Sequence, residues 1–173
     1  MSPTAASAAP PNPDQARQIL TAWERFLCHS EIPANVVRSV IEHSWKRCSS
    51  AGVDPQRSRG AAPVPDDDLR KLQHEYRELF EASKPIMAQA RDFLSESGSI
   101  MILIDPGGLI LETGGDQGTM EDASDIRLMT GVNWSELTCG TNAIGTALSV
   151  QQSVQVHGAE HFCTGFTSAQ ITL

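Results

Sequence analysis

Apolar and polar positions change period along the chain, and each change marks an element. Residues 1–13 (MSPTAASAAPPNP) hold too little apolar surface to order and read as a disordered tail. From Asp14, taken as an N-cap, the run DQARQILTAWERFL sets Ile19, Trp23, Phe26 and Leu27 on one helical face. Ser30 then precedes EIPANVVRSVIEHSWKRC, in which Pro33 falls in a first turn and Val37, Val40, Ile41, Trp45 and Cys48 recur at helical spacing. Gly52 suits the stop. Residues 50–68 are read as a linker, centred on DPQRSRGAAPVPDDD, with three aspartates placed where the next helix's N-terminus favours them.

The strongest periodic segment is LRKLQHEYRELFEASKPIMAQARDFL. Leu69, Leu72, Tyr76, Leu79, Ser83, Ile86, Ala90 and Phe93 alternate in steps of three and four, a heptad-like seam that Pro85 should kink. It serves equally a helix covering a sheet and a dimerising helix. After Gly98 the pattern turns to strands: SIMILID, a PGG turn and LILET, which predict a hairpin at Asp105 to Gly108. A loop (GGDQGTMEDASD), a short helix around Ile126 to Met129, a helix starting at Thr141 or Asn142 and a strand at SVQVHG complete the reading. The fold class predicted is α+β: a helical extension over residues 14–97, then residues 98–173 with a small antiparallel sheet.

Charge sharpens that division. The formal net charge is -8, and Arg127 is the sole basic residue after Gly98. Nucleic-acid binding needs Lys and Arg against phosphates, so no direct nucleic-acid contact is expected from this chain. The longest apolar run, Ile100 to Ile104, is far short of the roughly 20 residues of a membrane span. The N-terminus lacks the basic and apolar regions of a secretory signal, so a cytoplasmic address is expected, without membrane contact. Four dispersed cysteines (Cys28, Cys48, Cys139, Cys163) are then expected reduced.

Candidate chemistry is sparse. GTNAIGTA lacks the Lys-Ser/Thr pair of a phosphate loop, and Gly145 and Ala147 fit close helix packing better. Cys139, His157, His161 and Cys163 match no tight zinc spacing. A nucleophilic Cys139 or Cys163 would need His157 or His161 and an acid such as Glu160 in a geometry that sequence proximity does not supply. No catalytic residue, metal or cofactor is therefore expected. A small-molecule pocket remains, with Ile102, Ile104, Leu111, Trp134, Thr141, Asn142, Ile144 and His161 as its candidate lining. The Ile and Leu positions serve a core equally well, and the polar tips of Trp134, Asn142 and His161 need partners from ligand, backbone or water.

Four stretches, VIEHSWKRCSSAGVDP, IMILIDPGGLILETGGD, GVNWSELTCGTNAIGTAL and VHGAEHFC, together resemble the N-terminal sensory region of sigma-54-dependent, Fis-family activators of the acetoin-catabolism-regulator type. The resemblance runs from about Ile32 to Cys163. It implies a helical lead-in and a GAF domain, here over residues 98–173 and partial, that binds a small-molecule effector such as acetoin. It further implies control of an ATPase and a DNA-binding region that these residues do not contain. Relatives continue past AEHFC with further strands, so a truncated GAF domain or gene fragment is expected. The alternative is an interaction protein, a homodimer paired through the Leu69 to Phe93 helix.

Overall fold

The computed structural model describes residues 10–166. In chain order these form α1 (Pro13–His29), α2 (Ser39–Ser50), α3 (Asp66–Glu75), α4 (Arg77–Leu94), β1 (Ile100–Ile104), β2 (Ile110–Gly115), α5 (Gln117–Asp125), α6 (Glu136–Cys139) and α7 (Ala143–Val150), with 3-10 turns at Gly158–Glu160 and Thr164–Phe166. The class is α+β, as the hydrophobic periods predict. The chain divides into two compact units, one of Met1–Ser58 with Ser135–Leu173 and the other of Arg59–Trp134. The compositional break at Gly98 is a change of local structure, helix to strand, inside the second unit.

In the first unit α1 begins one turn-half earlier than Asp14. Asn12 is the N-cap: its side chain accepts from the Gln15 N–H while Gln15 reaches back to the Asn12 N–H, and Pro13 fills the first helical position. Ile19, Ala22, Trp23 and Phe26 form its buried face. The predicted start of the second helix near Pro33 is corrected: α2 begins at Ser39. Asn35 takes a left-handed backbone (φ 63°) and Arg38 an extended one, so residues 31–38 turn instead of coiling. Ile41, Ser44, Trp45 and Cys48 are the buried stripe of α2, and the Phe26 and Trp45 rings stack with centroids 5.9 Å apart. The strand expected at SVQVHG does not form. Its carbonyl at Gln155 accepts from Arg38 and its N–H at His157 donates to Glu160, so side chains take the place of a ladder.

The second unit is built on the hairpin. Ile100 pairs with Gly115 and Leu103 with Glu112, antiparallel, with a bulge between Leu103 and Ile104. Asp105 sets the turn, its carboxylate accepting from the Gly107 and Leu109 N–H groups. The long helix predicted over Leu69 to Phe93 is two helices, α3 and α4, parted at Tyr76 (φ -90°, ψ 23°), and α4 continues through Pro85. The buried residues of α4 are Ser83, Met87 and Ala90, whereas Ile86 and Phe93 are 59% and 85% exposed. The heptad positions therefore split between a face on β2 and a face in solvent. The short helix expected at Ile126 to Met129 lies earlier, as α5, because Asp116 caps it by accepting from the Thr119 N–H. Leu109, Ile110, Leu111, Leu128, Val132 and Trp134 are the core of this unit. No described helix is long and apolar enough to cross a membrane.

Candidate functional site

The most densely built polar site lies in the first unit and is organised by α2. At its C-terminal end Arg47 grips Glu136 of α6 through two hydrogen bonds, Nε to Oε2 at 2.7 Å and Nη2 to Oε1 at 2.8 Å. Ser44, one turn earlier, donates to Glu136 Oε1 at 2.5 Å and lies 2.6 Å from the Thr141 hydroxyl and 3.3 Å from that of Thr146. Glu136 is 3% exposed. Burial alone would raise its pKa, but hydrogen bonds from Arg47, Ser44 and Thr146 and the charge of Arg47 outweigh it, so the carboxyl stays below its ordinary value.

At the other end of α2 a second ion pair repeats the arrangement. Arg38 donates to both oxygens of Glu160, at 2.8 and 2.6 Å, and to the Gln155 carbonyl. Two indoles pin the backbone beside it. Trp45 Nε1 donates to the Glu160 carbonyl at 2.8 Å and Trp23 Nε1 to the Phe162 carbonyl at 3.0 Å. His161 sits between these anchors, buried, with Nδ1 3.0 Å from the Gly158 carbonyl. Burial pushes its pKa down, against smaller upward pulls from the Gly158 carbonyl and Glu160.

The eight residues nominated from sequence fall four to each unit. In the first, Thr141 belongs to the Ser44 network and Asn142 caps α7, its Oδ1 accepting from the Gly145 N–H and its Nδ2 donating to the Gly140 carbonyl. Ile144 is half-buried. In the second, Ile102 and Ile104 are half-buried on β1 and Leu111 is buried on β2. Trp134 is buried, its Nε1 donating to the Arg127 carbonyl at 3.0 Å. Backbone groups thus meet the polar tips of Trp134, Asn142 and His161. Sequence reasoning passed over Arg38, Ser44, Arg47 and Glu136. Ser44 alone had a readable signal, since it shares the helical stripe of Ile41, Trp45 and Cys48.

Gly140 directly precedes Thr141 of the Ser44 network. Its φ of 70° and ψ of -168° belong to glycine, and a Cβ there would lie 2.9 Å from Cys163 Sγ and 3.1 Å from Phe162 Cβ. Among the described residues no group of three His, Cys, Asp or Glu side chains is arranged to hold a metal ion. Cys48, Cys139 and Cys163 are fully buried, and burial pushes the Cys163 thiol up to about 12. Cys28 is exposed. One thiol of the four is therefore expected to react quickly with an aromatic disulfide reagent in the native protein, and the other three only on adding denaturant. Rapid modification of a second thiol would contradict this burial.

Residues 13–171 match the protein family described as MimR, N-terminal domain. The acetoin dehydrogenase operon transcriptional activator AcoR of Bacillus subtilis is 29% identical over 143 residues, covering 83% of this chain and 24% of that protein. The signal-transduction and transcriptional-control protein of Clostridium beijerinckii is 31% identical over 127 residues, 73% of this chain and 20% of its own length. The propane 2-monooxygenase operon transcriptional activator MimR of Mycolicibacterium smegmatis is 29% identical over 142 residues, 82% and 23% respectively. The chain thus spans between 20% and 24% of these relatives' lengths. In the crystal structure of the E. coli DhaR(N)–DhaL complex, a chain shares the fold with a TM-score of 0.68 at 19% identity, over 75% of this chain and 44% of that one.

Proposed function

The chain belongs to the MimR N-terminal domain family, and from that premise we propose that it is the signal-input module of a sigma-54-dependent transcriptional activator. It is a regulatory domain and not an enzyme, as the activators related to it are regulators. The observation that carries the proposal is the extent of the match: the similarity covers most of this chain and a minor fraction of each activator. The module binds a small metabolite, of the acetoin-like kind that the resemblance implies. The ligand favours one packing of the domain, and that bias reaches the ATPase and DNA-binding regions of an activator. The candidate lining residues Ile102, Ile104, Leu111, Trp134, Thr141, Asn142, Ile144 and His161 belong to this proposal, as do a GAF-type architecture over residues 98–173, the lead-in over 14–97 and a cytoplasmic address.

Two measurements test it together. The purified chain is melted with a panel of short alcohols, ketones and hydroxyketones. A ligand at about 100 times its Kd adds about 2.7 kcal/mol, which raises Tm by about 5–10 °C in a chain of this size. In parallel, the chain replaces the matching region of AcoR in a reporter strain, where the same compound is expected to change transcription. Flat melts across the panel together with a chimera indifferent to every compound would overturn the reading.

A second reading, pairing of two copies through the Leu69 to Phe93 segment, is favoured by the solvent-facing stripe of α4. Leu79, Ile86 and Phe93 stand seven residues apart and are 39%, 59% and 85% exposed. Ile86→Glu with Phe93→Glu is expected to convert a dimer to a monomer in sedimentation equilibrium, with the melt otherwise retained. A parent chain that sediments as a monomer at high concentration ends this reading.

A further inference from the structure

We propose that the groove between α4 and β2 in the second unit binds a small hydroxylated organic acid. The groove is open to solvent and offers about 630 Å³, within the range of about 300–1,000 Å³ of small-molecule sites. Phe80 and Ala88 supply its apolar surface. Phe80, Lys84, Ala88 and Arg91 recur at helical spacing along α4, on a face beside the Ser83, Met87 and Ala90 stripe that packs inward. This face is thus neither the buried one nor the apolar one in solvent.

Charge identifies the occupant. Residues 59–134 carry fourteen carboxylates against seven Lys and Arg, yet the groove is lined by Lys84 and Arg91 against Glu112 alone. The two cations stand on one face of α4 in an otherwise negative unit, each in an exposed ion pair that an anion enters by displacing or sharing the carboxylate. Arg91 donates through Nη2 to Glu112 at 2.8 Å, which leaves Nε and Nη1 for a carboxylate. Lys84 holds Glu81 at 2.6 Å in a solvent-exposed pair that a ligand displaces at little cost. Thr130 also lines the groove, and its hydroxyl suits a hydroxyl group of the ligand.

The arginine is placed by the backbone beneath it. A Cβ at Gly114 would lie 3.1 Å from Arg91 Cγ and 3.3 Å from Nε, so a glycine on β2 lets the guanidinium stem lie close across the strand. Arg91 and Lys84 would hold the carboxylate, Thr130 a hydroxyl, and Gly114 would act as a positioning residue. This site stands apart from the proposal of a signal-input module: a domain that senses a neutral compound elsewhere would leave it untouched, and its own failure would leave that proposal intact.

Calorimetric titration of the full chain at low ionic strength tests it, with gluconate and lactate as anionic hydroxylated probes and sorbitol and acetoin as neutral ones. Saturable binding of an anionic probe is expected, weakened by salt. Arg91→Gln and Lys84→Gln should each weaken it by about tenfold or more, as loss of a charge-assisted hydrogen bond would. Gly114→Ala should weaken it by displacing Arg91, and Thr130→Val should reduce the preference for lactate over propionate. Unchanged melts report that each variant folds, and should Arg91→Gln unfold, Thr130→Val and Lys84→Gln carry the test. No saturable anion binding, binding indifferent to these substitutions, or sorbitol binding as tightly as gluconate overturns the proposal.

Discussion

Replacing Trp45 by alanine is expected to remove about 3–5 kcal/mol of stability, the cost of emptying a fully buried aromatic site. Domains are stable by about 5–15 kcal/mol, so this single change takes a large share of the total and lowers Tm by about 6–20 °C. Two losses combine. The indole leaves a void against Phe26, and the Glu160 carbonyl loses its donor at 2.8 Å. Trp45→Phe separates them, because it keeps a ring on Phe26 and removes only the N–H. It should cost about 1–3 kcal/mol, the penalty of a buried acceptor left unpaired. Denaturant melts of the two variants check the partition. Equal costs for phenylalanine and alanine would mean that the hydrogen bond, and not the packing, carries the site.

The helical spacing of Trp23 and Trp45 was legible in the sequence, and so was the fact that both turn inward. Their partners were not. The carbonyls of Phe162 and Glu160 lie 139 and 115 residues away, and any backbone carbonyl can accept an indole N–H, so no side-chain pattern announces which one does. The hairpin was legible for the opposite reason. Its strands adjoin, and Asp105 with the following glycines carries the turn chemistry within five residues.

Errors in the reading of elements arose where a local preference met a tertiary contact. The run from Ser30 to Val37 has good helical spacing, but Arg38 is committed to Glu160 and Gln155, and its extended backbone sets the start of α2. The SVQVHG segment has strand-like alternation, but its polar backbone groups are taken by Arg38 and Glu160. The seam over Leu69 to Phe93 was readable as amphipathic, yet a repeat of three and four is shared by neighbouring faces of a helix. The sheet takes Ser83, Met87 and Ala90, and the larger Ile86 and Phe93 face solvent. Charged residues were the least legible. Arg47 and Glu136 resemble solvated positions in a linear reading, and only the fold brings them together in the first unit.

That pair yields the second large effect, and its sign depends on which partner is removed. Arg47→Met leaves the Glu136 carboxylate 3% exposed and without its cation. Breaking a buried pair this way costs about 3–5 kcal/mol, and because the guanidinium side is 40% exposed the loss here is expected at about 2–4 kcal/mol. Arg47→Met with Glu136→Met together should cost clearly less than Arg47→Met alone, since no buried charge remains. The pH dependence gives an independent check. Glu136 is held below its ordinary value of 4.5, so the stability it contributes is present above pH 4.5 and is lost as pH falls through the lowered folded-state pKa. In Arg47→Met the lost cation lets the pKa rise, and acidification then relieves the unpaired charge, so the parent's loss below pH 4.5 should shrink or reverse. His161 titrates in a separate window: its folded-state pKa is depressed, so destabilisation from its protonation begins as pH falls below 6.5, in parent and variant alike. Urea melts of parent, single and double variants across both windows resolve the two groups. An Arg47→Met variant no less stable than the double variant, with the parent's acid limb unchanged, would show that Glu136 is solvated and that the pair does not hold α2 to α6.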